Sequence, residues 1–490
     1  MAVNESRDAT PPAKAGRARN RGPAVRLRDA GISLKYHFLT QHHLLGALFR
    51  NGPMFVVDNY RRYSWMRVLL RNGGKMLDMM TRTRTGRYRE ANAILSTVMA
   101  GGFVRMLEGQ YHRRDRLVLH EDMLPPEIFR AMDLEPWMAE MLAIMLPIME
   151  PGAMEAFIDV SENNGIPPDI CSLPKGTMGM VLENQLPPVN ALVTSNLPCD
   201  GGMSSYTLIE KQLKVPTCRV DIPFDFRSER AIRYFIGELR RMIAWLEAHT
   251  PGRMDWDRLR NIIEERNRML ALEQELWDMM RISPAPMAAE PVYLSHLWGF
   301  NMSPGTPEAT DLFRQVAGLC RRNVEEGIGA LPEERYRVLL WNPPMAHFGE
   351  FFVWAEQAYG VSLIMDSMSF NRQPPIDTST EESMLRGLAY NIMDGPMARH
   401  TRGPCSNFMD DIFHICRVFS IDMIWVAGHI GCKNTQALNG MLRELCRQAN
   451  IPLLIINYDL MDPRIVTHDG IKEQVNHFME TVMKAERLAP

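Results

Sequence analysis

The chain contains no CxxC pair, which excludes a zinc ribbon or a thioredoxin-type dithiol centre. Its eight cysteines are spread through 490 residues, too thinly for a disulfide framework. In a reducing compartment they serve as thiols, metal ligands or core fillers. No apolar run approaches the roughly 18 residues that a membrane-spanning helix needs. No signal-peptide apolar region follows the start, so the expected location is cytoplasmic, with no membrane partner. Neither sign of charge dominates: 55 Lys plus Arg against 58 Asp plus Glu leave a formal charge of -3, which gives no ground for a nucleic-acid partner. Nothing repeats at solenoid periods. What remains is a 46% hydrophobic chain, long enough for two or three domains with ordinary cores.

Residues 1–30 are rich in Arg, Ala and Pro and read as a disordered basic tail, with a docking arm as the functional alternative. Residues 31–118 read as a helical extension. Apolar side chains recur at helical spacing over 35–49, 60–70 and 87–107, broken at Gly52-Pro53 and Gly73-Gly74. Pro125-Pro126 then opens a short amphipathic helix that Pro136 is expected to close. Glu127 suits the start of that helix, and Glu140 is expected in solvent.

A strand at 190–196, the corner Leu197-Pro198-Cys199-Asp200-Gly201-Gly202, a helix at 204–212 and a strand at 215–222 make a βαβ unit. Residues 227–280 are long, charged and helical, and a further helix is expected at 308–326. A second such region follows. It has strands at 337–341, 361–366, 421–430 and 452–458, with helices at 348–359, 380–393, 406–419, 434–445 and 469–486. The expected class is α/β, with two parallel-sheet domains at 119–330 and 331–490 and connecting helices between them.

Cys199 and Cys432 each stand where a strand gives way to a helix, and Cys171 precedes a helix expected to reach about residue 182. A thiol there meets free N–H groups and the positive end of the helix dipole, which favour thiolate. The carboxyl edge of an open parallel sheet is also where ligands bind. By placement, Cys171, Cys199 and Cys432 are either separate activated thiols or joint ligands of one iron–sulfur cluster between two domains. Cys218 lies within a strand, and Cys320, Cys416 and Cys446, inside helices, read as small buried hydrophobes. Cys405, beside Gly403-Pro404, stays ambiguous.

Over roughly residues 120–485, a series of motifs resembles the 2-hydroxyacyl-CoA dehydratase and benzoyl-CoA reductase family. They are Pro125-Pro126-Glu127-Ile128 with Ala131, Pro136 and Glu140; Asp169-Ile170-Cys171-Ser172; Ser195-Asn196-Leu197-Pro198-Cys199 before a strand ending Val220-Asp221-Ile222-Pro223; Gly431-Cys432-Lys433; and Asp459-Leu460-Met461-Asp462-Pro463-Arg464. The resemblance implies two flavodoxin- or Rossmann-like domains and a [4Fe-4S] cluster held by Cys171, Cys199 and Cys432, its fourth iron site open. It implies a homologous second subunit and a separate ATP-hydrolysing iron–sulfur activator that injects one electron. The implied substrates are acyl-CoA thioesters. The first expectation is dehydration of a 2-hydroxyacyl-CoA to a 2-enoyl-CoA through a ketyl radical. Reduction of an aromatic acyl-CoA is the alternative, and a non-catalytic electron-relay or scaffold subunit is the alternative from another class.

Glu140 matches the family acid near the open iron and is the candidate for ligation or proton transfer. Where dehydratase catalytic subunits often carry serines, this chain has His120-Glu121-Asp122-Met123, which puts hydroxyl-assisted substrate handling in doubt. Asp459, Asp462 and Arg464 are expected to form a loop-fixing salt bridge. Lys433 is a candidate for offsetting cluster charge or touching a CoA phosphate.

Overall fold

The computed structural model describes residues 23–488, apart from residues 74, 226, 342–346, 367, 368, 370–372, 402 and 403. The tail up to residue 22 and the Asn342-Pro343-Pro344 loop lie outside the described residues. The first described helix, Pro23–Asn51, begins inside the segment expected to be tail.

Among the described residues, eight strands form two separate sheets, each entirely parallel. β1 (Leu117–His120), β2 (Glu135–Met138), β3 (Ala191–Ser195) and β4 (Thr217–Val220) run in the order β2-β1-β3-β4. β5 (Tyr336–Trp341), β6 (Val361–Asp366), β7 (Met423–His429) and β8 (Leu453–Tyr458) run in the order β6-β5-β7-β8. Within each unit this is the doubly wound 2-1-3-4 order of flavodoxin-like folds. The order reverses between β1 and β3, and again between β5 and β7. At such a reversal the connections leave in opposite directions and open a crevice at the carboxyl ends of the strands. β3 and β7 are buried along their whole length. Helices cover both faces of a parallel sheet, so these strands carry near-continuous apolar runs rather than alternation.

β1 and β2 differ from the expected reading. The helix Pro126–Ala131 stops before Pro136, and Asp133 turns the chain with a positive φ of 58°. Pro136 then lies inside β2, opposite Val118. β2 is an edge strand with one neighbour, so the missing proline N–H leaves no bond unmade. The 60–70 helix is divided at Tyr63 into Pro53–Arg62 and Met66–Asn72. A further helix, Ala289–Leu297, fills the proline-punctuated stretch before residue 307.

The N-terminal helices are part of the core. Pro23–Asn51 packs on Gly86–His112, and their buried residues join one apolar cluster with those of the second sheet. Arg84 is buried between Glu290 and Glu356. Its Nη2 lies 2.6 Å from Glu290, and Nη1 pairs with Glu356 on the helix Phe351–Tyr359. Removing one member of such a buried group costs about 3–5 kcal/mol, because a charge is left uncompensated.

Candidate active site at the facing sheet ends

Each of the three predicted cysteines is the residue that opens a helix. Cys171 caps Ser172–Leu182, Cys199 caps Asp200–Leu213 and Cys432 caps Lys433–Ala449. Cys199 follows β3 and Cys432 follows β7, the strands at the two reversal points. The Leu173 N–H reaches the Cys171 sulfur, and the Gly201 and Gly202 N–H groups reach that of Cys199. These bonds favour thiolate, but burial outweighs them. It drives Cys171 well above the usual thiol range and pushes Cys199 up to about 11. Cys432, Cys199 and Glu140 raise Cys171 further, and Glu140 and Cys432 do the same to Cys199. These four groups therefore share one electrostatic neighbourhood.

The two units meet closely at Cys171. A side chain on Gly431 would bring its Cβ within 2.7 Å of the Cys171 Cα, so only glycine fits this approach. His429, the last residue of β7, donates from Nε2 to the Cys171 sulfur at 3.1 Å. Its Nδ1 accepts the Leu460 N–H at 3.1 Å, which fixes the tautomer with the proton on Nε2. Burial depresses the His429 pKa and keeps the ring neutral. Three further contacts cross the same junction. Met461 N–H donates to Ser172 Oγ at 3.2 Å, Lys433 pairs with Asp169 at 2.9 Å, and Arg464 reaches Asp159 at 3.0 Å.

Behind the thiols lies a row of acids. Glu140 is only 4% exposed, contrary to the expected solvated position. It opens the helix Met141–Met149 just after β2. Burial holds its pKa far above the ordinary carboxylate range, and Asp122 adds to the effect. Glu121, directly after β1, is fully buried. Its Oε2 accepts the Ser195 hydroxyl at 2.7 Å and its Oε1 the Met123 N–H at 2.7 Å. Desolvation still keeps it well above the normal range, with Asp122 repelling its charged form. Tyr206 is buried beside this row, in the electrostatic field of Glu140, Asp122, Glu121 and Cys199, and its hydroxyl has no hydrogen-bond partner among the described residues. His120 is also buried rather than solvated. It stacks on Phe129, bonds the Glu121 carbonyl through Nδ1, and is lowered by burial to about 4.

Residues 123–482 match the family model described as 2-hydroxyglutaryl-CoA dehydratase, D-component. The chain belongs to that family. A benzoyl-CoA reductase subunit of Thauera aromatica is 21% identical over 346 residues, covering 66% of this chain and 78% of the relative. The alpha subunit of lactoyl-CoA dehydratase of Anaerotignum propionicum is 21% identical over 371 residues, covering 69% and 84%. Among the described residues, no helix of this D-component family member is long and apolar enough to cross a membrane.

The remaining expected residues divide between loop support and surface. Asp462 chelates Arg464 at 2.8 and 2.7 Å, which is the salt bridge expected from the sequence. Asp459 Oδ1 accepts the N–H groups of Met461 and Asp462, both at 2.9 Å, and so shapes the same loop. Lys433 is exposed and paired to Asp169. Glu127 does not join the thiols. It is buried 3.0 Å from Arg266. Cys320, Cys416 and Cys446 are buried as expected, Cys218 in its strand is buried too, and Cys405 is exposed. Sequence reasoning passed over Ser195 and Tyr206 as site residues, although both lie within seven positions of Cys199 on elements it had placed.

The chemistry of the thiol set bears on its fit to a cluster. All three cysteines open helices, yet burial keeps Cys171 and Cys199 protonated. A bound metal centre supplies the positive charge that three thiolates need. Among the described residues, no three His, Cys, Asp or Glu side chains are drawn tightly enough to grip a single metal ion. A four-iron cluster is wider than one ion, and its ligands stand correspondingly further apart. In their chemistry, three thiols sharing one electrostatic neighbourhood are donors of the type that an iron–sulfur cluster takes.

Proposed function

We propose that this chain is an enzyme subunit acting on acyl-CoA thioesters, with Cys171, Cys199 and Cys432 holding a [4Fe-4S] cluster and Glu140 as its proton-transfer residue. Its reaction is dehydration of a 2-hydroxyacyl-CoA to the 2-enoyl-CoA. The observation that carries this reading is the shared neighbourhood of three helix-opening cysteines and one buried, proton-retaining glutamate at the facing ends of two sheets.

When bound, the cluster supplies an open iron as Lewis acid and one electron at low potential. The chain supplies the rest. Glu140 keeps its proton in a dry site and can give it to an oxygen that leaves the substrate's α-carbon, since departing hydroxide is poor until protonated. Glu121, pinned by Ser195 and Met123, holds a second proton beside Asp122. The Ser195 and Tyr206 hydroxyls stand in the region where the serines before the proline–glutamate motif are missing. His429 donates a hydrogen bond to the Cys171 sulfur, which would draw electron density from that ligand and tune the cluster. A homologous subunit would complete the enzyme, and an ATP-hydrolysing iron–sulfur activator would deliver the electron.

Reduction of an aromatic acyl-CoA is the second reading. Its support is the pair of proton-retaining acids, Glu121 and Glu140, both under the influence of Asp122, because ring reduction consumes protons that dehydration only relocates. Turnover distinguishes the two. The chain, purified without oxygen with its partner, activator, ATP and reductant, is expected to release 2-enoyl-CoA from 2-hydroxyacyl-CoA with no net consumption of reductant. Stoichiometric consumption of reductant with an aromatic acyl-CoA, and no dehydration, would replace the first reading by the second.

A further inference from the structure

A cleft opens between the loop after β1, the helix Trp256–Met279 and the helix Glu381–Met393 of the second unit. Its walls are largely apolar, with Leu124, Met269, Leu270, Leu388 and Ile392 among them. Three of the polar side chains that line it carry an atom with no hydrogen-bond partner among the described residues: Arg266 Nη1, Asn391 Oδ1 and Asp122 Oδ1. Arg266 is 7% exposed and Asn391 5% exposed, so neither group is satisfied by bulk water. A buried donor or acceptor left unmade is costly, and a ligand that completes it recovers that cost on binding.

The chemistry of the lining narrows the ligand. Glu127 holds Arg266 Nε at 3.0 Å, so the guanidinium charge is already balanced while the Nη1 amino group has no partner among the described residues. Glu273, paired with His296, adds another acid to the wall. A carboxylate ligand would therefore meet three carboxylates, Asp122, Glu127 and Glu273, and, among the described lining residues, no uncommitted cation. A hydroxyl matches these groups in kind, since it can accept from an N–H such as Arg266 Nη1 and donate to an oxygen such as Asn391 Oδ1. The Asp122 side of the cleft lies within electrostatic reach of Glu140, and Asp122 also adjoins Glu121. The cleft therefore leads toward the acid row.

We infer that this cleft receives the distal part of the acyl group and selects an apolar chain bearing a neutral oxygen, a hydroxyl above all, through Arg266 and Asn391. The inference rests on the acyl-CoA reading of the site. A site built to hydrogen-bond a hydroxyl discriminates strongly against the analogue that lacks it.

The test is calorimetric binding of hexanoyl-CoA and 6-hydroxyhexanoyl-CoA to the full chain, neither of which carries the reactive 2-hydroxyl. The expected result is at least a roughly tenfold tighter complex with 6-hydroxyhexanoyl-CoA. Asn391→Leu and the charge-balanced pair Arg266→Gln with Glu127→Gln should each bring the ratio close to unity while leaving hexanoyl-CoA binding within about threefold. If the double variant does not fold, judged by its circular dichroism, Asn391→Leu alone decides. Binding of both thioesters with a ratio near unity in the unaltered chain, or a preference that survives Asn391→Leu, overturns the assignment of the cleft. Binding of neither thioester overturns the assignment and the acyl-CoA reading beneath it together.

Discussion

The two sheets share one strand order but place different chemistry at their reversal points. In the first unit, β1 leads into His120, Glu121 and Asp122, and β3 ends at Ser195 before Cys199. That crevice is crowded with acids, and burial holds two of them, Glu121 and Glu140, far above the ordinary carboxylate range. In the second unit, β7 ends at His429, followed by Gly431 and Cys432, with Lys433 and Arg464 reaching across to the first unit. One unit holds protons and the other clamps. The same backbone topology offers each unit a crevice, and the side chains at the strand ends decide its use.

The sharpest way to break the contrast is to remove the proton from the first unit. Glu140→Gln should lower turnover by at least about a hundredfold, the usual worth of a positioned acid–base group, while iron content is retained. Steady-state assay beside iron analysis checks this, and full turnover would remove Glu140 from the mechanism.

The next effect is the pH response that His120 gives the first unit. Folded His120 titrates at about 4, below its ordinary 6.5. Between those values the unfolded chain binds a proton that the folded chain does not, so stability is present above pH 6.5 and is lost as pH falls toward 4. The full loss is about 3 kcal/mol, at 1.36 kcal/mol per pKa unit. His120→Gln should flatten this component of stability against pH in denaturant unfolding. An unchanged slope would show that His120 is not neutral in the fold.

A smaller effect probes the clamp. Gly431→Val places a side chain against the Cys171 backbone, where even a Cβ stands 2.7 Å from Cα. Overpacking of this kind costs about 1–3 kcal/mol. The thermal midpoint should fall, and the His429 bond to Cys171 should loosen with it. A midpoint equal to that of the unaltered chain would mean the junction is looser than the distances indicate.

The difference between the units also governed what could be read from sequence. β3 and β7 were legible because each is an apolar run ending in a corner, Leu197-Pro198 or Gly431, with a cysteine at a helix start. β1 and β2 were not. Each has only four residues, and β2 contains Pro136, which reads as a helix stop until its edge position is known. The acid row was equally hidden. Glu121 and Ser195 are 74 positions apart and meet only because β1 and β3 pair. His429 and Cys171 are 258 apart and meet only where the units dock. Local pattern located the three thiols. Burial, which turns Glu140 from a solvated acid into a proton holder, is a property of the assembled core.

The central claim is that thiols from both units hold one cluster. Iron and acid-labile sulfide per chain, measured after oxygen-free purification, test it most directly. The account predicts about four irons in the unaltered chain. It predicts near-complete loss in Cys171→Ala, Cys199→Ala and Cys432→Ala alike, although the third lies in a different sheet unit. Undiminished iron in any one of the three would contradict it.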